Sequence, residues 1–162
     1  MPRPAPAGGW QGWAGPVSDE PAPTFEASFT PRFRPELIAT LDEVADGPPC
    51  LLNALAPDVF SGETNRYGRA GHIPGSVNVF AKHLLDEHGR LLDRSALRDQ
   101  FGAIDALGGA RVVAYCGAGV SATLDAFALT LLGENDVAVY DGSMSEWISD
   151  PDRPLDQGPV HK

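Results

Sequence analysis

Short apolar runs alternate with amphipathic stretches along most of this chain. Pro35 opens a segment in which Leu37, Ile38, Leu41 and Val44 recur at helical spacing, so one short helix is expected there. Cys50-Leu51-Leu52-Asn53-Ala54 follows Gly47-Pro48-Pro49 and reads as a buried strand. Gly71-His72-Ile73-Pro74-Gly75 is a turn leading into a second short strand at Val77-Asn78-Val79. Leu97 and Phe101 stand four apart within 95–101 and predict a helix. The β-branched run Val112-Val113-Ala114-Tyr115 predicts a strand that enters Cys116-Gly117-Ala118-Gly119. A long helix follows over 122–132, with Leu124, Phe127, Ala128, Leu131 and Leu132 read as its core face and Gly133 as its stop. Val137-Ala138-Val139-Tyr140 is a last strand, and Asp141-Gly142 turns into a short helix around Trp147. Strands alternating with helices predict an α/β fold with a central parallel sheet and helices on both faces.

The first part of the chain follows neither period. Of the 15 prolines, 11 lie at or before position 57, and residues 1–32 show no sustained apolar pattern. They read as a Pro-rich extended arm, with a folded domain over 33–157 and a tail at 158–162. One echo stands out. Gly8-Gly9-Trp10-Gln11-Gly12-Trp13 resembles Gly142-Ser143-Met144-Ser145-Glu146-Trp147, and a proline segment follows each. Coincidence explains it, or residues 8–17 are the last turn of a preceding, duplicated domain.

Composition removes several classes. The net charge of −10 disfavours a nucleic-acid partner, which needs a basic stripe, and disfavours a membrane partner recruited through anionic lipid. The uncharged stretch 112–124 is too short and too Gly-interrupted to span a bilayer. Two cysteines cannot build a disulfide scaffold or a four-cysteine zinc site. No apolar run follows the Pro/Ala/Gly-rich 1–9, so no secretory leader and a reducing, cytoplasmic setting are expected.

Cys116 is the candidate catalytic residue. It ends a strand and precedes a long helix, with Gly117, Ala118, Gly119, Val120, Ser121 and Ala122 between. Ligands of parallel sheets bind beyond the carboxyl ends of the strands. Small residues let backbone N–H groups converge, and the helix start adds partial positive charge. Both favour a thiolate and an anionic sulfur above it. No metal and no cofactor are required. The alternative for an isolated cysteine in an apolar strand is a small buried hydrophobe.

Here a family resemblance becomes visible. Cys116-Gly117-Ala118-Gly119-Val120-Ser121-Ala122 resembles the active-site loop of the rhodanese superfamily, nearest to the Cys-Gly-Ser-Gly-Val-Thr-Ala pattern of 3-mercaptopyruvate sulfurtransferases. Gly71-His72-Ile73-Pro74-Gly75-Ser76-Val77-Asn78 and Val139-Tyr140-Asp141-Gly142-Ser143 with Glu146-Trp147 resemble two further segments of that family. The resemblance covers about 36–155 and implies a rhodanese fold and sulfurtransferase activity of the thiosulfate/3-mercaptopyruvate type. It implies a Cys116 persulfide, loaded by a small anionic sulfur donor and emptied by a thiol or cyanide acceptor. The N–H groups of 117–122 would hold the persulfide charge, and Ser121 would cap the helix or add a hydroxyl donor. Many such enzymes are tandem. The resemblance therefore implies a second, catalytic domain with 8–30 the end of a missing N-terminal rhodanese domain plus linker, the alternative being a natural single-domain remnant.

Departures from the pattern shape the substrate reading. Gly117 and Ala118 are neutral where thiosulfate-type loops are basic, which favours a 3-mercaptopyruvate-like donor. Ala118 replaces a serine that assists the mercaptopyruvate-type enzymes. Asn53-Ala54-Leu55 replaces Asp-x-Arg, and Val59 stands where a clamping arginine is usual. An anionic donor approaching a −10 protein needs local compensation, and Arg66 or Arg69 is expected to contact its carboxylate. His72 is expected to fix its turn, Cys50 and Trp147 to pack, and His83 and His88 to lie at the surface. Two other function classes compete. A Cys-x5-Arg phosphatase needs an arginine in the loop, and Ala122 stands there. A non-catalytic or weakly active rhodanese module, acting as sulfur relay or binding partner, fits the neutral loop and Val59.

Overall fold

The computed structural model describes residues 9–158 except 11, 22, 23, 25 and 105. Gly8 and Gln11 of the echo, the first eight residues of the arm and residues 159–162 of the tail lie outside them. Described residues between 9 and 34 form no helix or strand.

Four short strands make one sheet: β1 (Cys50–Asn53), β2 (Ser76–Asn78), β3 (Val112–Tyr115) and β4 (Val137–Val139). Their order is β2-β1-β3-β4, and all pairs are parallel, with Leu52 opposite Val77 and Ala114. Both faces are covered, as the alternation of strands and helices requires. On one face Cys50, Leu52, Val112 and Val137 pack with α3 (Arg94–Gly102) and α4 (Ala122–Leu132) through Leu97, Phe101, Ala128, Leu129 and Leu132. On the other, Leu51, Val113, Tyr115 and Ala138 pack with α1 (Leu41–Ala45), α2 (Pro57–Ser61) and α5 (Ser143–Trp147) through Val44, Val59, Met144 and Trp147. β1 divides its alternate residues between the two cores, Cys50 and Leu52 to one and Leu51 to the other. The fold is therefore α/β with a fully covered parallel sheet.

Two local expectations are corrected. The single helix expected from Pro35 is broken. A 3-10 turn spans Pro35–Leu37; then Ile38 bridges to Val139, and Ala39 N–H donates to Val139 O at 2.9 Å. The open backbone edge of β4 draws this segment out of helical conformation. Thr40 then restarts the helix as the N-cap of α1, its Oγ1 accepting from Glu43 N–H. On α4, the buried residues are Ala122, Asp125, Ala128, Leu129 and Leu132, while Phe127 and Leu131 are 52% and 43% exposed. A helix apolar nearly all round carries no directional signal, so its neighbours choose the face. The pattern also missed α2, whose Pro57 start and left-handed Gly62 end enclose only one turn.

The order β2-β1-β3-β4 creates a switch point. The chain leaves β1 toward β2 on one side and leaves β3 toward β4 on the other, so the carboxyl ends of β1 and β3 flank the crevice where ligands bind in such sheets. No helix among the described residues is long and apolar enough to cross a membrane.

Candidate active site

Cys116 stands one residue beyond β3, at that switch point, and is 2% exposed. Its loop is held by α5. Ser143 Oγ accepts from Cys116 N–H at 3.1 Å and Gly119 N–H at 3.0 Å, and its hydroxyl donates to Tyr140 O at 2.8 Å. Ser143 is wholly buried and left-handed at φ 52°. Such a conformation costs a non-glycine residue about 1 kcal/mol or more, which the three hydrogen bonds offset.

The next two peptides are oriented from the same side. Cys116 O accepts from Met144 N–H at 3.1 Å, and Gly117 O accepts from Ser145 N–H at 3.0 Å and Ser145 Oγ at 2.8 Å. A trans peptide points its N–H opposite to its C=O. The N–H groups of Gly117 and Ala118 therefore face away from α5. Gly119 does not join them, because its N–H is taken by Ser143. It serves as a corner instead: at φ 77° a Cβ would lie 2.5 Å from Asp141 Oδ1.

Ser121 occupies the N-cap position of α4 but makes no side-chain cap bond. Its helical φ/ψ of −66°/−31° departs from the extended geometry capping needs. Ala118 and Val120 are exposed, and Ala122 is buried under the helix start.

The two arginines part company. Arg69 donates through Nη1 to Asp150 O at 3.1 Å and through Nη2 to Arg153 O at 2.7 Å, so it ties down the turn after α5. Arg66 is exposed and makes no hydrogen bond to a described residue. Its neighbour Tyr67 was not singled out from sequence, yet it covers the loop. A Cβ on Gly117 would lie 2.6 Å from Tyr67 Cε1 and closer still to its hydroxyl oxygen. A glycine between a candidate nucleophile and an exposed alanine was the one available hint of a close approach.

Supporting residues fix the rim. His72 stacks on Phe60 at 3.7 Å between ring centroids, and its Nδ1 lies 2.7 Å from Phe60 O. His72 and Asp156 exchange backbone hydrogen bonds at 2.9 Å each. Tyr115 is buried under the crevice, its hydroxyl bonded to Ser76 Oγ at 2.7 Å and to Ile73 N–H at 3.1 Å; burial pushes its pKa up to about 12. Trp147 donates from Nε1 to Pro154 O at 2.9 Å under the Arg153 guanidinium. Val59 is buried in the core and Asn53 accepts from Leu55 N–H at 2.8 Å, so neither aims a charge at the loop. Cys50 is buried at the start of β1, and His83 and His88 are exposed. Among the described residues, no group of three His, Cys, Asp or Glu could hold a metal ion.

Comparison with known proteins places this geometry in context. The family model described as rhodanese-like domain matches residues 57–150. The chain is 35% identical over 136 residues to the mitochondrial thiosulfate/3-mercaptopyruvate sulfurtransferase 1 of Arabidopsis thaliana, covering 80% of this chain and 36% of that protein. It is 33% identical over 164 residues to the thiosulfate sulfurtransferase of Rattus norvegicus, covering 93% of this chain and 55% of that protein. Among solved structures, the anaerobic ergothioneine biosynthesis enzyme of Chlorobium limicola aligns with a TM-score of 0.82 at 23% identity, covering 95% of this chain and 41% of that one. The chain spans between about a third and just over half of the length of these relatives.

Proposed function

The chain belongs to the rhodanese-like domain family, and we propose that it moves sulfane sulfur from a small donor to a thiophilic acceptor through a persulfide on Cys116. One observation carries the reading. A buried cysteine lies at the switch point of a parallel sheet, and the two peptides after it are turned by α5 so that their N–H groups face away from that helix.

The relay has two steps. The Cys116 thiolate attacks the sulfur of the donor; an S–S bond forms, the donor's own bond to that sulfur breaks, and the departing electron pair takes up a proton. An acceptor thiolate then attacks the outer sulfur, leaves with it, and restores the Cys116 thiolate. In this reading the N–H groups of Gly117 and Ala118 bind the charge on the outer sulfur, worth about 10²–10³ in rate per donor in comparable sites. A neutral loop favours a 3-mercaptopyruvate-like donor over thiosulfate. Of the two arginines expected to meet the donor's carboxylate, Arg66 is the one assigned to it in this reading, since both terminal nitrogens of Arg69 are engaged.

Incubation with 3-mercaptopyruvate or thiosulfate, followed by intact-mass measurement, tests the proposal. Wild type should gain one sulfur atom and lose it to added thiol; Cys116→Ser should gain none. Sulfur gained by Cys116→Ser would place the site elsewhere. The burial of Val59 and the lack of a clamping charge at 53–55 favour a second reading, a sulfur relay fed by another protein's persulfide. Failure of both small donors to load Cys116, with loading from a persulfidated protein, would select it.

A further inference from the structure

Tyr67 has no part in the relay described above, yet it is built into the loop. Its ring is half-buried and packs on the core that includes Tyr115 and Cys116. Its hydroxyl bonds to no described residue. A phenol whose ring is immobilised while its polar end is unmatched is an arrangement suited to a ligand. The hydroxyl oxygen lies within about 4 Å of the Gly117 Cα, allowing one carbon–carbon bond beyond the overlapping Cβ position. That Cα is about 3.8 Å from the Cα of Cys116. Gly117 is buried beneath the phenol, whereas Ala118 and Val120 are open. Residues 117–120 are Gly, Ala, Gly and Val and supply no side-chain donor of their own. Glycine at 117 is what admits the ring: any side chain there would hold the hydroxyl off the loop.

We propose that the Tyr67 hydroxyl, unbonded to any described residue in this structure, becomes a hydrogen-bond donor to the sulfur of Cys116 when that sulfur carries charge, to the thiolate before transfer and to the persulfide after it. The phenol keeps its proton throughout, and no bond of Tyr67 forms or breaks. The persulfide half rests on the sulfur-transfer reading; the thiolate half stands without it. The donor acts beside the N–H groups of Gly117 and Ala118, so the sulfur is approached by side chain and backbone together.

Tyr67→Phe keeps the ring and deletes the hydroxyl. Two readouts follow it. The first is the rate of Cys116 alkylation by iodoacetamide at fixed neutral pH, with no donor present, located by peptide mass. The second is turnover and persulfide lifetime with 3-mercaptopyruvate. Loss of one hydrogen bond to a charged group predicts a roughly tenfold slower alkylation, a roughly tenfold lower kcat with KM within about twofold, and a shorter-lived persulfide. The melting temperature should stay at the wild-type value. Tyr67→Ala should show the same losses with a lowered melting temperature. A Tyr67→Phe variant equal to wild type in alkylation and turnover overturns the proposal and leaves Tyr67 a packing residue. If wild type takes up no sulfur from either donor while Tyr67→Phe still slows alkylation, the small-donor reading fails and the thiolate contact stands.

Discussion

Replacing Asp125 by asparagine should stabilise this protein by an amount that grows with pH. Asp125 sits on the buried face of α4, has no exposed surface, and neither carboxylate oxygen has a hydrogen-bond partner. Burial alone pushes its pKa from 3.8 up to about 8. The native chain therefore holds this proton up to about pH 8, while the unfolded chain releases it near pH 4. Between those limits the native state binds more protons than the unfolded state, so stability falls as pH rises, by about 1.4 kcal/mol per pH unit. Below the window the penalty vanishes; at pH 7 it reaches about 4 kcal/mol. Asparagine keeps the size and polarity of the protonated acid and does not titrate. Urea denaturation of both proteins at pH 5 and pH 7.5 isolates the effect, because every other titrating group is common to the pair. The advantage of Asp125→Asn should be about 3 kcal/mol larger at the higher pH. An advantage that is equal at the two values, or absent at pH 7.5, would refute the reasoning.

Ser143→Ala removes the acceptor shared by Cys116 N–H and Gly119 N–H and the donor to Tyr140 O. It should lower stability by about 2–4 kcal/mol in urea titration and reduce persulfide formation by intact mass, since buried partners are left unmatched. The two arginines should separate in steady-state kinetics and melting. Arg66→Ala raises KM for 3-mercaptopyruvate by roughly tenfold without changing the melting temperature. Arg69→Ala instead lowers stability by about 1–2 kcal/mol through the two carbonyls it releases, with KM near wild type.

Much of this molecule could be read from neighbouring residues. Gly47-Pro48-Pro49 before Cys50-Leu51-Leu52, the β-branched run before Cys116, and the helix ended by Gly133 are signals complete within a few positions. They suffice for a parallel α/β sheet with a cysteine at the end of its third strand. Strand order follows less directly, but short strands with helical crossovers leave few arrangements.

Tertiary structure decided what surrounds the cysteine. Ser143 meets Cys116 and Gly119 across 27 and 24 residues, and Arg69 meets the turn after α5 across 81 and 84. Tyr67 lies on Gly117 although two strands, a 3-10 helix and an α-helix separate them in the chain. No local period encodes such pairs; they arise when packing of the two cores brings distant loops to one end of the sheet. The same packing chose which face of α4 to bury, and so enclosed a carboxylate that its place in the sequence gave no reason to hide.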